Sequence, residues 1–125
     1  ILVIDDEENV LEAVYDILEM HGMRVLRACG GAEGLDLYRQ HSSEIGLVLL
    51  DLMMPGMNGE ETFRALRAFD PDVRVILSSG YSEAEATRHF VGQKLADFIQ
   101  KPYDFHSLAR KIRRALNDSP MLTIP

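Results

Sequence analysis

Three short runs along the chain consist mainly of Val, Leu and Ile: Ile1–Ile4, Gly46–Leu50 and Val73–Leu77. Near-continuous runs of this kind predict strands covered on both faces, as in a parallel sheet, rather than half-exposed strands with alternating polarity. Two weaker strands are predicted at Arg24–Ala28 and Asp97–Gln100. Between the strands the apolar spacing lengthens to three and four residues, the helical interval. Val10, Leu11, Val14, Ile17 and Leu18 form one stripe ending near Gly22, and Ala32, Leu35 and Tyr38 form a second. Phe63 and Leu66 lie on a third helix, with Asn58 as N-cap and Glu61 three residues later. Ser82 and Glu85 repeat that capping pattern ahead of a fourth. Phe105, Leu108, Ala109, Ile112 and Leu116 mark a last helix, begun by Asp104 and fading over residues 117–120. Strand then helix, five times, predicts an α/β fold with a parallel sheet between two helical layers.

Length and composition narrow the class. The 125 residues suit one domain, expected over residues 1–117, with 118–125 as a C-terminal tail or the start of a linker. Apolar residues at 46% and charged residues at 26% match a soluble globular chain. No apolar run approaches the roughly 18 residues of a membrane span, so direct membrane insertion is not expected. Acids outnumber bases 20 to 13, for a net charge of −7, which disfavours binding nucleic acid through phosphate contacts. Arg110, Lys111, Arg113 and Arg114 on the last helix read as a solvated face that balances nearby acids. The single cysteine, Cys29, fits a reducing cytoplasm and reads as a small buried residue at a strand end. The chain opens at Ile1, inside a predicted strand, and reads as a piece of a longer protein.

In an open parallel sheet the functional crevice lies at the carboxyl ends of the strands. Asp5-Asp6-Glu7-Glu8 follow the first strand, and Asp51 follows the third. Ser78-Ser79-Gly80-Tyr81 follow the fourth and Lys101-Pro102 the fifth. Carboxylates converging at one point repel unless a cation sits among them, and an oxygen-only donor set suits a hard ion such as Mg²⁺. A carboxylate also serves as a nucleophile toward phosphorus, and Asp51, ending the most apolar strand, is the candidate. Asp6 is then a direct metal ligand, Asp5 holds metal-bound water, and the backbone carbonyl of Met53 completes the protein's share. Lys101 offers an ammonium and Ser79 a hydroxyl to the equatorial phosphoryl oxygens. Ser78 competes with Ser79, which is preferred because Gly80 follows it. Glu7 and Glu8 are expected to face solvent or the helix dipole. Tyr81 and Tyr103 fall at the site mouth or on a partner surface.

Val3-Ile4-Asp5-Asp6-Glu7, the run from Leu50 through Asp51 to Gly59, Ile76-Leu77-Ser78-Ser79-Gly80 and Lys101-Pro102 together resemble the receiver domain of two-component response regulators. The resemblance runs from Ile1 to about Leu116. It implies a flavodoxin-like (βα)5 three-layer sandwich with a five-stranded sheet in the order 2-1-3-4-5; a receiver is itself one of the standard examples of that order. It further implies Asp51 as phosphoacceptor, Asp5 and Asp6 as the acidic pocket for Mg²⁺, Ser79 as the switch hydroxyl and Lys101 as the phosphate-binding lysine. Phe98 matches a switch aromatic, and Met53 and Tyr81 match positions that tune dephosphorylation, which the family catalyses by itself. The implied donor is a phosphohistidine on a histidine kinase or histidine phosphotransfer domain. The face of the fourth helix, fifth strand and fifth helix is expected to meet a partner or a second copy as a homodimer.

The stretch Val91–Ala96 and the sequences around Gly80 and Pro102 resemble receivers attached to hybrid sensor histidine kinases, whose cytoplasmic receivers can be tethered to a membrane sensor. The alternatives are a stand-alone or DNA-binding-type regulator, or a receiver-like interaction module that is not phosphorylated. A phosphatase of the haloacid dehalogenase type wants an acid two residues past the nucleophile, where Met53 stands. A flavin or nucleotide module wants a Gly/Ser/Thr-rich loop after the first strand, where four acids stand.

Overall fold

Two apolar clusters, one on each side of a parallel sheet, explain why the strand runs are unbroken. A computed structural model describes residues 1–117 and 120–125. The elements are β1 (Leu2–Ile4), α1 (Glu8–Met20), β2 (Leu26–Ala28), α2 (Gly31–His41), β3 (Val48–Asp51), α3 (Gly59–Phe69) and β4 (Val75–Ser79). There follow α4 (Glu83–Ala86) with a 3-10 turn at Thr87–Phe90, β5 (Lys94–Leu95), β6 (Asp97–Gln100), α5 (Phe105–Leu116) and β7 (Leu122–Thr123). The sheet order is β2-β1-β3-β4-β6, parallel throughout. With β6 as the fifth strand, this is the flavodoxin-like order 2-1-3-4-5.

Side chains alternate across each strand. Leu2, Ile4, Val48, Leu50 and Leu77 join residues of α2, α3 and α4 in one cluster. Val3, Leu47, Leu49, Ile76 and Ile99 pack with α1 and α5 in the other. Each side chain of this kind contributes roughly 1.5–3 kcal/mol when fully buried, so both faces hold the central strands in one register. No described helix is long and apolar enough to cross a membrane.

The structure differs from the sequence reading in several places. First, β3 and β4 start later than predicted and run one and two residues further, so Asp51 and Ser79 end the strands rather than follow them. The ladder continues beneath them: Asp51 sits opposite Ser78, and Ser79 opposite Gln100. Second, the fourth helix has only one regular turn, with Ser82 accepting the Glu85 amide at its start. The Thr87 hydroxyl donates to the Glu83 carbonyl at 2.6 Å, and Val91-Gly92 then leave helical geometry, with Gly92 at φ +81°.

Third, Leu122–Thr123, read as tail or linker, pair antiparallel with Lys94–Leu95. The Gly92 amide donates to the Ile124 carbonyl (2.8 Å) and the Ile124 amide to the Gln93 carbonyl (2.9 Å), while Ile124 packs against the α2–α4 cluster. Asp118 and Ser119, assigned to that tail, lie outside the described residues. Fourth, Cys29 is exposed rather than buried, its thiol 3.4 Å from Glu33. It stands just past β2, a sheet edge, where a side chain has only one helical layer to hide beneath. Lys111, read as part of a solvated basic face, donates to the Phe98 carbonyl at 2.5 Å and lies 3.5 Å from Asp97, tying α5 to β6.

Candidate functional site

The ends of β1, β3 and β6 deliver carboxylates and an ammonium to one spot. Asp5, just past β1, is fixed by its own amide on the Ala28 carbonyl (3.1 Å) and by Oδ1 accepting the Glu7 amide (2.9 Å). Asp51 closes β3, with Oδ1 accepting the Met53 amide at 3.3 Å. Asp5 and Asp51 are buried, at 1% and 3% exposure, and Asp6 is exposed. A carboxylate oxygen from each of the three lies within 4.8 Å of the others. Lys101 enters from β6: Nζ is 2.9 Å from Asp5 Oδ2, 3.5 Å from Asp51 Oδ1 and 3.6 Å from Glu7 Oε1. The Lys101–Pro102 peptide is cis.

The charges do not balance. Two buried carboxylates share one ammonium, with Asp6 and Glu7 at the rim. Burial and then the charge of Asp5 push the Asp51 carboxyl up to about 7, against a smaller opposing pull from Lys101. Burial works against the Lys101 ammonium, but its hydrogen bond to Asp5 and the two nearby carboxylates outweigh it and raise its pKa above the ordinary lysine value. Burial foremost carries Tyr103 up to about 12.

The β3–α3 connection is set by close packing. The Asn58 side chain accepts the Glu61 amide, and Glu61 accepts the Asn58 amide in return, a complete capping box. Gly59 lies directly on the end of β3; a Cβ there would come within 2.5 Å of Leu52 Cα and 2.6 Å of the Asp51 carbonyl oxygen. Alternation along β4 puts Ser78 on the sheet face of Asp51 and turns Ser79 toward the opposite face. Ser79 is fully buried, and its Oγ accepts the Tyr81 amide at 3.1 Å. It lines a groove of about 410 Å³ with Met53, Tyr81, Arg88 and Phe90. Phe98 is buried in the α2–α4 cluster.

A family model of the response regulator receiver domain matches residues 1–113. The chain belongs to the receiver family. The receiver is 30% identical over 93% of its length to the sensor kinase CckA of Brucella abortus, and spans 12% of that protein. It is 34% identical over 95% of its length to the transcriptional regulatory protein CpxR of Escherichia coli K12, and spans half of it. Among solved structures, the receiver domain of the hybrid histidine kinase CckA superposes with a TM-score of 0.77 at 27% identity. That match covers 92% of this chain and 96% of the other.

Asp5, Asp6, Asp51 and Lys101 therefore meet, as the strand ends predicted. Ser79, Met53 and Tyr81 instead border the groove beside them. Glu7, expected to face solvent or the helix dipole, is exposed at the N-cap of α1 and also comes within 3.6 Å of Lys101. Tyr103, expected at the site mouth or on a partner surface, lies beside Lys101 and Glu7, and its hydroxyl hydrogen-bonds to that of Ser78. Nothing in a residue pattern states where a tyrosine hydroxyl ends.

Proposed function

We propose that Asp51 accepts a phosphoryl group from a phosphohistidine on a histidine kinase or histidine phosphotransfer domain, and that this receiver then signals by a change in conformation. The observation carrying this reading is the pair of buried carboxylates sharing one ammonium at the ends of β1, β3 and β6. Oxygen-only donors with surplus negative charge fit a hard divalent ion, so Asp5, Asp6, Asp51 and the Met53 carbonyl would hold Mg²⁺. When bound, the ion supplies neutralising charge to the phosphoryl oxygens. An Asp51 carboxylate oxygen attacks phosphorus and the P–N bond breaks as the P–O bond forms; the donor imidazole, protonated beforehand on its other ring nitrogen, leaves as the neutral ring. Lys101 pairs with an equatorial oxygen, exchanging part of its contact with Asp51 for one with the phosphoryl group.

Ser79 and Phe98 are the proposed switch: the hydroxyl turns from the Tyr81 amide toward the phosphoryl group, and Phe98 follows. The shift reaches the α4–β6–α5 face, which a partner or a second copy would read. Met53 and Tyr81, at 56% and 49% exposure, border the approach of water and are proposed to tune self-dephosphorylation. A cytoplasmic location goes with this reading. Hybrid-kinase parentage draws on the likeness to CckA, and a DNA-binding regulator draws on the higher identity to CpxR.

Intact mass after incubation with acetyl phosphate, with and without Mg²⁺, tests the acceptor. A Mg²⁺-dependent gain of one phosphoryl that is lost in Asp51→Asn is expected. If no mass is gained, and neither Mg²⁺ nor a beryllofluoride mimic shifts the NMR spectrum, the domain is an interaction module instead. Ser79→Ala should accept the phosphoryl group yet lose most of the NMR response at α4 and β6.

A further inference from the structure

Two hydrogen bonds tie the turn after β6 to the end of β4, and Lys101 itself makes the first of them. The Lys101 amide donates to the Ser79 carbonyl at 2.8 Å. Two residues on, the Tyr103 hydroxyl pairs with the Ser78 hydroxyl. Ser78 has no exposed surface, and a buried hydroxyl without a partner is costly. Register sets Ser78 opposite Asp51 on β3, on the same face of the sheet. The ring of Tyr103 packs in the α1–α5 cluster, edge-on to Phe105 at 6.3 Å. Apolar packing accounts for the ring and leaves the hydroxyl to be explained.

The reach demanded of Lys101 explains it. Its side chain starts at the end of β6 and meets Asp5 at the end of β1, with β4 and β3 between. Three strand spacings are roughly 14 Å, so the turn itself must lean inward over β4 before the ammonium can touch both carboxylates. We propose that Tyr103 is a positioning residue for Lys101: its hydroxyl, bonded to Ser78, holds the turn over β4 so that the ammonium serves Asp51 as well as Asp5. With that bond gone, the shorter contact, 2.9 Å to Asp5 against 3.5 Å to Asp51, decides where the ammonium goes. This inference rests on Asp51 as acceptor.

Tyr103→Phe keeps the ring and removes the hydroxyl; Ser78→Ala removes its partner. Phosphorylation rates with acetyl phosphate at saturating Mg²⁺ are compared for each variant, for the double variant, and for Tyr103→Phe in a Lys101→Ala background. Each single change should slow uptake about fivefold, in keeping with one neutral hydrogen bond, and the double should be no slower than either single. In Lys101→Ala, losing the Tyr103 hydroxyl should change nothing. A Tyr103→Phe rate equal to wild type, or a fivefold loss that persists without Lys101, overturns the proposal. The Lys101 Nζ resonance of the unphosphorylated protein separates the two layers. If it moves in Tyr103→Phe while wild type takes up no phosphoryl group, the acceptor role fails and the positioning stands. If it does not move, the positioning role is overturned.

Discussion

Asp51 is held by the fold in a form that the unfolded chain would not adopt. The folded carboxyl keeps its proton up to about pH 7, while an unfolded aspartate releases it near 4. Between those values the folded state binds more protons, so stability falls as pH rises through the window. In Mg²⁺-free buffer, Asp51→Asn should therefore melt several degrees above wild type at pH 8, and the gain should shrink through pH 5 and vanish below about pH 4. Equal melting temperatures at pH 8 would mean that Lys101 already neutralises the pair. The same proton competes with metal: Mg²⁺ should bind about tenfold more weakly at pH 6 than at pH 8, because one proton must leave first. Calorimetry at the two values checks it, and a pH-independent affinity would place the ion away from Asp51. These carboxylates were legible in the sequence because chain order and a parallel sheet place every strand end on one rim. The contacts that Glu7 and Tyr103 make were not, because they depend on where a long side chain finishes.

At the scale of the element, the β3–α3 connection is the least forgiving piece of the fold. Gly59→Ala would drive a methyl group into Leu52 and the Asp51 carbonyl; both close atoms are backbone, so the loop must move. A loss of roughly 1–3 kcal/mol is expected, read from urea unfolding, together with slower phosphoryl uptake as the Met53 amide leaves Asp51. Wild-type stability in that variant would show that the loop is free to slide. Helices with a strong apolar stripe, α1 and α5, were readable directly, since their periodicity reports the face they bury. The last residues of β3 and β4 were not, because Asp51, Ser78 and Ser79 are polar and only the pairing partner reveals that the ladder continues. Two-residue strands such as β5 and β7 have no period to read.

Across the whole molecule, the β5–β7 ribbon joins the C-terminal residues to the segment between α4 and β6. Removing Leu122–Pro125 should speed hydrogen exchange at the Gly92 amide, which loses its acceptor on Ile124, and leave exchange at the Asp51 amide unchanged. Unaltered exchange at Gly92 would mean that the ribbon opens freely in solution. Arg67 adds a brace from α3, donating to the carbonyls of Val73 (3.1 Å) and Lys94 (2.8 Å). The ribbon also decides how the molecule carries tension. A pull on Pro125 loads the Gly92–Ile124 and Gln93–Ile124 hydrogen bonds. The ladder is antiparallel, and it would peel one bond at a time or shear at once depending on the direction of the pull. Until it parts, strain on residues 122–125 is shared with Gly92 and Gln93, in the segment that leads into β5 and on to β6.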